Sequence, residues 1–478
     1  MPPVQPFAAR RPGFRLGAVL TPFLIAALAA CGGGGGGGGS GGSSGGVTGS
    51  SSSSSAAPTA YVGGSEFSVN TTVDNDQTYP AATTLNNGNV VVVWNTSLGV
   101  IGATALSEVR AQIFTPAGAK VGSEIIVSSG TPSSASSHRH VLPAVLATSD
   151  GGFAVAYISN GHNGNTTDTR ITQGPIMVRA FKADGTPDGD AAIPPLTTTL
   201  PGEGLTGSAG YAFSLDMKSL SDGRIVVTWT EWGTSPYNDG NNMAVRMQLF
   251  KADGDELIPA SIVNTQTVGQ QSYSSVAALS GGGFVIIWTD YNGSNSTTQV
   301  AKLKGQRYDA NGAKLGTEFL VRDTTLAQSV GSIAPLPNNQ FVIVWSEGSR
   351  TSTDDDVWGQ IFNGDATLSG APFALATTTT NRQVQPKVIA LANGHFFTFW
   401  GDNSNLLGDT DPYALTGQAF TSNGTKFGSQ LLLNVTTAGS QAQPVATALK
   451  TEGFFMAWTD PAGDVNGAGV KARVFKLN

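Results

Sequence analysis

Thiols, imidazoles and charge are all scarce in this chain. Its 478 residues include one cysteine, four histidines and 12% charged positions. The lone cysteine, Cys31, excludes a disulfide framework and leaves residues 32–478 without thiol chemistry. No long segment carries a 3.6-residue apolar period, so little helix is expected. The apolar run Leu16–Ala30 is too short for an ordinary membrane-spanning helix. A nucleophile elbow, a phosphate-binding glycine loop and a metalloprotease helix are all missing. The glycines at 32–39 follow no strand and precede no Lys-Thr, so they are linker. His138 and His140 alternate on an expected strand near His162, a pattern a zinc or copper site would show, but no cysteine or acid is fixed beside them. His395 falls at a hairpin turn, where exposure is expected.

What the chain has in quantity is glycine, 62 residues, with abundant Thr, Ser, Asn and Val. That mixture favours strands and turns. The formal net charge is −7, which suits cations or basic partners and makes a poor nucleic-acid binder.

The N-terminus reads as a targeting segment. Arg10, Arg11 and Arg15 precede the apolar run, which ends Leu28-Ala29-Ala30-Cys31. This resembles the lipobox of bacterial lipoproteins. The resemblance implies a signal peptide over 1–30, cleavage before Cys31, and fatty acylation (palmitate) of its thiol and new amino group. Losing residues 1–30 removes three arginines and no acid, taking the net charge from −7 to −10. Residues 31–60 are Gly/Ser-rich and cannot bury apolar surface; as a flexible tether they would span roughly 30 Å. Gly32, where inner-membrane retention would want aspartate, points to the outer membrane by analogy.

From Tyr61 onward one unit repeats. Its second strand is an apolar run closed by an aromatic anchor: Trp94, Tyr157, Trp229, Trp288, Trp345, Trp400 and Trp458, about 55 to 72 residues apart. A later strand ends in Phe114, Phe181, Phe250, Tyr308, Phe362, Phe420 or Phe475, with Gln two residues earlier in five copies and Arg179 or Arg473 in the others. Asn-Gly and Asp-Gly pairs such as Asn87-Gly88 and Asn311-Gly312 mark hairpins in which both central residues would need positive φ. Four antiparallel strands repeated seven times over 61–478 predict an all-β, seven-bladed β-propeller. The last unit lacks a fourth strand and the first is preceded by an extra one. Phe67–Asn70 is therefore expected beside Val470–Phe475, completing the last blade and removing an edge. The repeat resembles degenerate propeller repeats of large secreted and surface proteins of bacteria, with a Gly-Gly-Phe-Val-Val-x-Trp core and a later Gly-Gln-Arg-Phe; Gly305-Gln306-Arg307-Tyr308 is the nearest copy. The resemblance implies the fold and an extracytoplasmic setting, and no activity.

The long loops share one face, where binding is expected. One ring there comprises Gln77, His140, Ala212, Gln271, Gln328, Gln383 and Gln441. A second, two residues past each anchor, comprises Thr96, Ser159, Glu231, Asp290, Glu347, Asp402 and Asp460. Together they would make a polar cup for a cation, sugar or peptide, or cap their own loops; a position repeated in every blade usually serves the blade. Glu231, Asp290, Glu347 and Asp402 are the carboxylates a hydrolase would use. Asp354, Asp356, Asp402 and Asp460 sit in loops whose oxygens suit calcium, without the full twelve-residue spacing. Trp232, Tyr237, Tyr291, Trp358 and Tyr413 could stack on sugars or anchor a partner.

The reading is a monomeric, membrane-anchored envelope lipoprotein whose propeller binds a protein or glycan partner. A glycan- or peptide-processing enzyme and a calcium-stabilised adhesion module are the alternatives.

Overall fold

A computed structural model describes residues 61–101, 104–128, 138–161, 176–188, 211–232, 239–240, 243–252, 254–291, 300–348, 354–405, 407–409 and 413–478. Residues 1–60, where a signal peptide and tether are expected, lie outside the described residues, as do His162 and Tyr237. Every element among the described residues is a strand. The strands form five hydrogen-bonded antiparallel sheets. Two of these join consecutive units through a single parallel pair, Ser107↔Arg139 and Met243↔Gln270, so the five sheets resolve into seven consecutive units.

The fourth unit shows the pattern. Gln270–Ala278, Phe284–Tyr291, Lys302–Tyr308 and Lys314–Leu320 follow one another in antiparallel order. The first strands of the seven units are Gln77–Thr84, His138–Ala147, Tyr211–Ser219, Gln270–Ala278, Ala327–Leu336, Gln383–Ala390 and Ala442–Ala448. As expected, the chain's start completes its end. Phe67 and Ser68 pair with Ala472 and Lys471, and Val69 N–H donates to Val470 O at 2.8 Å. A strand that sequence reasoning did not separate, Tyr61–Gly63, pairs with Leu477 through Phe475. Its Tyr61 ring is buried between Phe397 and Phe454.

The second strands explain the packing. Period two sends alternate side chains to opposite faces, and both faces are apolar. Val91 and Val93 pack with Phe153, Val155 and Tyr157 of the second unit. Val90, Val92 and Trp94 pack with Phe455 and Ala457 of the last. The same division recurs along the chain, as where Val285 and Ile287 meet Phe341, Ile343 and Trp345. All seven anchors are at most 1% exposed. In five units the third-strand aromatic stacks on a phenylalanine opposite it in the second strand, for example Phe284–Tyr308 at 4.9 Å and Phe341–Phe362 at 5.2 Å.

The Gly-Gln pair in the third strand has two separate jobs. A Cβ at Gly305 would lie 2.4 Å from the Phe319 ring of the fourth strand, so glycine makes room for that ring. Gln306 Nε2 donates to Arg307 O at 3.0 Å and to Gly316 O at 3.3 Å, tying down the same hairpin. The Asn-Gly turns differ from expectation: glycine alone takes positive φ, 89° at Gly88, while Asn87 does not. Gly88 N–H donates to Leu85 O and Leu85 N–H to Asn89 O, a type I turn followed by a bulge. Asn87 Oδ1 accepts Asn89 N–H at 2.9 Å, which is why Asn or Asp stands there.

Polar links join successive units at the outer strands. Glu124 accepts the Thr71 N–H, Thr72 N–H (3.0 Å) and both threonine hydroxyls, and pairs with Arg110 at 2.8 Å. Glu318 does the same for Thr265 and Gln266. Glu66, at the start of the chain, does it for Val435 and Thr436.

Two outcomes follow. Gly305→Ala should lower stability by about 1–3 kcal/mol through overpacking, read as a lower denaturant midpoint at unchanged m. Burial opposes the Glu124 charge, but the donors from Thr71, Thr72 and Arg110 outweigh it and pull its pKa down to about 2. The stabilisation is therefore complete above the ordinary carboxylate range and is lost as pH falls toward about 2. Glu124→Gln should melt below the wild type at neutral pH, and that gap should close on acidification. A gap independent of pH would refute the assignment.

Candidate functional site

The two rings expected on the long-loop face are a single structure. In six units the residue of the first ring lies directly opposite the residue two past the anchor: Gln77↔Thr96, His140↔Ser159, Ala212↔Glu231, Gln271↔Asp290, Gln328↔Glu347 and Gln383↔Asp402. Cross-strand neighbours bond, as with Gln271 to Asp290 at 3.1 Å and Gln328 to Glu347 at 3.2 Å. All five glutamines are buried. Their amides are used locally: Gln77 Nε2 donates to Asp74 O and Asn75 O, and Gln441 Nε2 to Ala438 O and Gly439 O. Three are held from behind by an asparagine seven residues earlier. Asn70, Asn264 and Asn434 donate to Gln77, Gln271 and Gln441 at 3.0–3.3 Å. Sequence reasoning missed that Asn–Gln spacing, although it is legible. For His140 and Trp232 the backbone pairing alone is described: His140 opposite Ser159, Trp232 between Tyr211 and Met243.

The acids belong to their anchors. The indole N–H of Trp229 donates to Glu231 at 3.3 Å, that of Trp345 to Glu347 at 3.1 Å and that of Trp400 to Asp402 at 3.2 Å. Thr96 receives the Trp94 indole in the same way at 3.0 Å. Cations compensate the buried charges: Arg246 to Glu231 at 3.1 Å, Lys304 to Asp290 at 2.6 Å and Arg322 to Glu347 at 3.0 Å. Glu231 stands where the cross-strand glutamine is replaced by Ala212. Burial pushes its pKa up, and neither Arg246 nor the Trp229 indole cancels that effect. Burial likewise raises Asp460, with Glu66 adding to it.

The remaining candidates do not converge. Asp355 pairs with Arg382 at 2.5 Å, and burial followed by Asp354, Asp355 and Glu347 raises Asp356. Asp402 caps Ser404 N–H at 2.8 Å and Asp460 caps Ala462 N–H at 3.0 Å. Among the described residues, no group of three or more His, Cys, Asp or Glu side chains is placed to hold a metal. The pocket at Asp402, Ser404, Asn405 and Asp409 is about 10 Å³, room for one water. Trp358 lies half-buried under Arg322, 4.6 Å from ring to guanidinium, so its face is taken. Tyr291 and Tyr413 are half-buried. His395, expected to be exposed, is half-buried with its ring edge-on to Phe427 at 4.5 Å, because the fourth strand folds over its turn.

A feature without a sequence signature lies two residues past the members of the first ring, Gln77 and its equivalents. Each first strand carries a bulge there, and Tyr79, Leu142, Ser214, Tyr273, Gln385 and Gln443 hold φ of 53–59°. Such a backbone costs about 1–3 kcal/mol in a non-glycine residue. The freed amides bond across units: Tyr273 N–H to Thr230 at 3.1 Å, Gln385 N–H to Ser346 at 2.9 Å and Tyr79 N–H to Gln443 at 2.8 Å.

No protein-family model and no curated protein matches the sequence. Solved structures similar to this chain include an unknown-function protein from Dyadobacter fermentans (10% identity, 88% of this chain and 100% of that one, TM-score 0.48). Others are an ulvan lyase of polysaccharide lyase family PL25 (12%, 84% and 94%, 0.48) and the intramolecular trans-sialidase of Ruminococcus gnavus (9%, 76% and 98%, 0.47). At these identities and scores the likeness assigns no activity.

Proposed function

We propose that the seven units close into a seven-bladed propeller and that the chain is a lipid-anchored envelope protein whose loop face binds a protein or glycan partner. The ring reading draws on the contacts of the first strands, which neighbour one another in an unbroken cycle from Gln77–Thr84 through Ala442–Ala448 and back. It also draws on the core cluster in which Val90 and Trp94 meet Phe455 and Val470. One observation favours binding over catalysis: four of the five channel-mouth acids are buried and already committed, Glu231, Glu347 and Asp402 to the indoles of their anchors and Asp290 to Lys304. A catalytic pair would be two unlike carboxylates, one of them free to reach a substrate.

A second reading, a glycan- or peptide-processing enzyme, keeps one residue in its favour. Glu231 is held toward its protonated form by burial, the state a general acid needs.

Glycan-array and turnover assays on the full chain carrying Cys31→Ser separate the two. Retention of a glycan or envelope protein without turnover is expected. Turnover that falls about a hundredfold or more in Glu231→Gln would replace the first reading by the second. The anchor is tested separately: the natural chain should take up labelled palmitate and sediment with membranes, and Cys31→Ser should do neither.

A further inference from the structure

The seven first strands carry few charged side chains. His138, Arg139 and His140 stand at the loop end of the second unit, and only Asp216, Lys218 and Lys387 lie deeper. Asp216 and Lys387 occupy the same register position, the first residue after the bulge, in the third and sixth units. Although these strands are 171 residues apart in sequence, the charges of Asp216, Lys218 and Lys387 act on one another. In a seven-membered ring, the third and sixth first strands face each other across the axis.

The other polar residues at this register position are bonded. Asp216 accepts Met217 N–H at 2.8 Å, Lys218 Nζ at 2.6 Å, Ser275 Oγ at 3.0 Å and Val276 N–H at 3.0 Å. Those four donors fill a carboxylate's acceptor capacity. Ser332 Oγ accepts Val388 N–H at 3.3 Å. Lys387 is different. It is solvent-accessible, yet no hydrogen bond or ion pair joins it to another described residue. Burial is nonetheless the strongest influence lowering its pKa, with Lys218 adding to it and Asp216 opposing. The Lys387 side chain is thus exposed to water while the surrounding protein disfavours its charge. Beside it, the half-buried Gln385 has its N–H bonded to Ser346 and its side-chain amide unbonded among the described residues. Two cations thus share one carboxylate whose lone pairs are already taken, inside a protein of net charge −7.

We propose that Lys387 and Lys218 form an oxyanion site within the channel, taking a carboxylate or phosphate group of a ligand that enters from the loop face. This rests on the ring reading. An oxyanion can accept from both ammonium groups and from the Gln385 amide at once, which no side chain present there can do.

The experiment uses the full chain with Cys31→Ser. Melting temperature is followed against inorganic phosphate and, separately, acetate, with chloride holding ionic strength constant. A saturable rise with either is expected, and the arm that gives it names the group. In Lys387→Gln the apparent affinity should fall about tenfold or more, whereas Lys450→Gln, at an exposed turn, should match the parent. Without oxyanion, Lys387→Gln should melt no lower than the parent, since burial and Lys218 together disfavour the Lys387 charge by more than Asp216 favours it. No rise, or a rise that survives Lys387→Gln, overturns the site. A Lys218→Cys/Lys387→Cys chain, otherwise cysteine-free, tests the ring by itself with a short bis-maleimide. Cross-linking without an oxyanion effect overturns the site and leaves the ring standing. Absence of cross-linking overturns both.

Discussion

A strand that is apolar on both faces cannot be satisfied by its own sheet. That constraint organises the whole molecule. Phe284–Ile287 is buried throughout, and its alternate residues feed two different cores, Phe284 and Ile286 toward the third unit and Val285 and Ile287 toward the fifth. Each unit therefore needs a neighbour on both sides. The first and last units share one core cluster, in which Val92 and Phe455 take part. Burying a side chain of this size contributes about 1.5–3 kcal/mol, so an unpartnered terminal unit would forgo several such contributions at once.

The polar network follows from the same packing. Bringing flat apolar faces together leaves backbone amides stranded at the edges and bulges between units, and buried amides must be paired. Glu66, Glu124 and Glu318 serve the outer edge, while Ser346, Thr230 and Gln443 serve the inner bulges. Glu231, Glu347 and Asp402 satisfy the indoles of Trp229, Trp345 and Trp400, which the same packing buries. Their repetition records a demand made by every unit, which is why a ring of carboxylates on this face is weak testimony for chemistry. Departures from the repeat are more informative: Ala212 leaves Glu231 to Arg246, and Asp216 and Lys387 stand where four other units place an alanine or a serine.

Much of this was legible before any coordinates. The seven anchors, the stacked aromatics and the pairing of Phe67 with the chain's end follow from period two, turn residues and a missing fourth strand. The polar interior was not legible, for physical reasons. The bulges occur at tyrosine, leucine, serine and glutamine alike, because the amide freed by positive φ is stabilised by a hydroxyl or amide on a different unit, and local propensity carries no trace of it. Asp216 and Lys387 are unremarkable in their own strands. Their relation exists only once strands far apart in sequence are brought to the same depth.

That depth bears on how a partner would be recognised. At the loop mouth several described charges are neutralised in pairs, as with Arg322 and Glu347 or Arg382 and Asp355. Charges already paired contribute little to attraction at a distance. On the ring reading, the charge deeper between the first strands is net positive, with Lys218 and Lys387 against Asp216. Electrostatic selection would therefore act on whatever part of a partner reaches inward, and the loops would supply shape and hydrogen bonds to the rest. A partner able to extend an anionic group beyond its contact surface would gain from both levels, and a neutral one from the outer level alone.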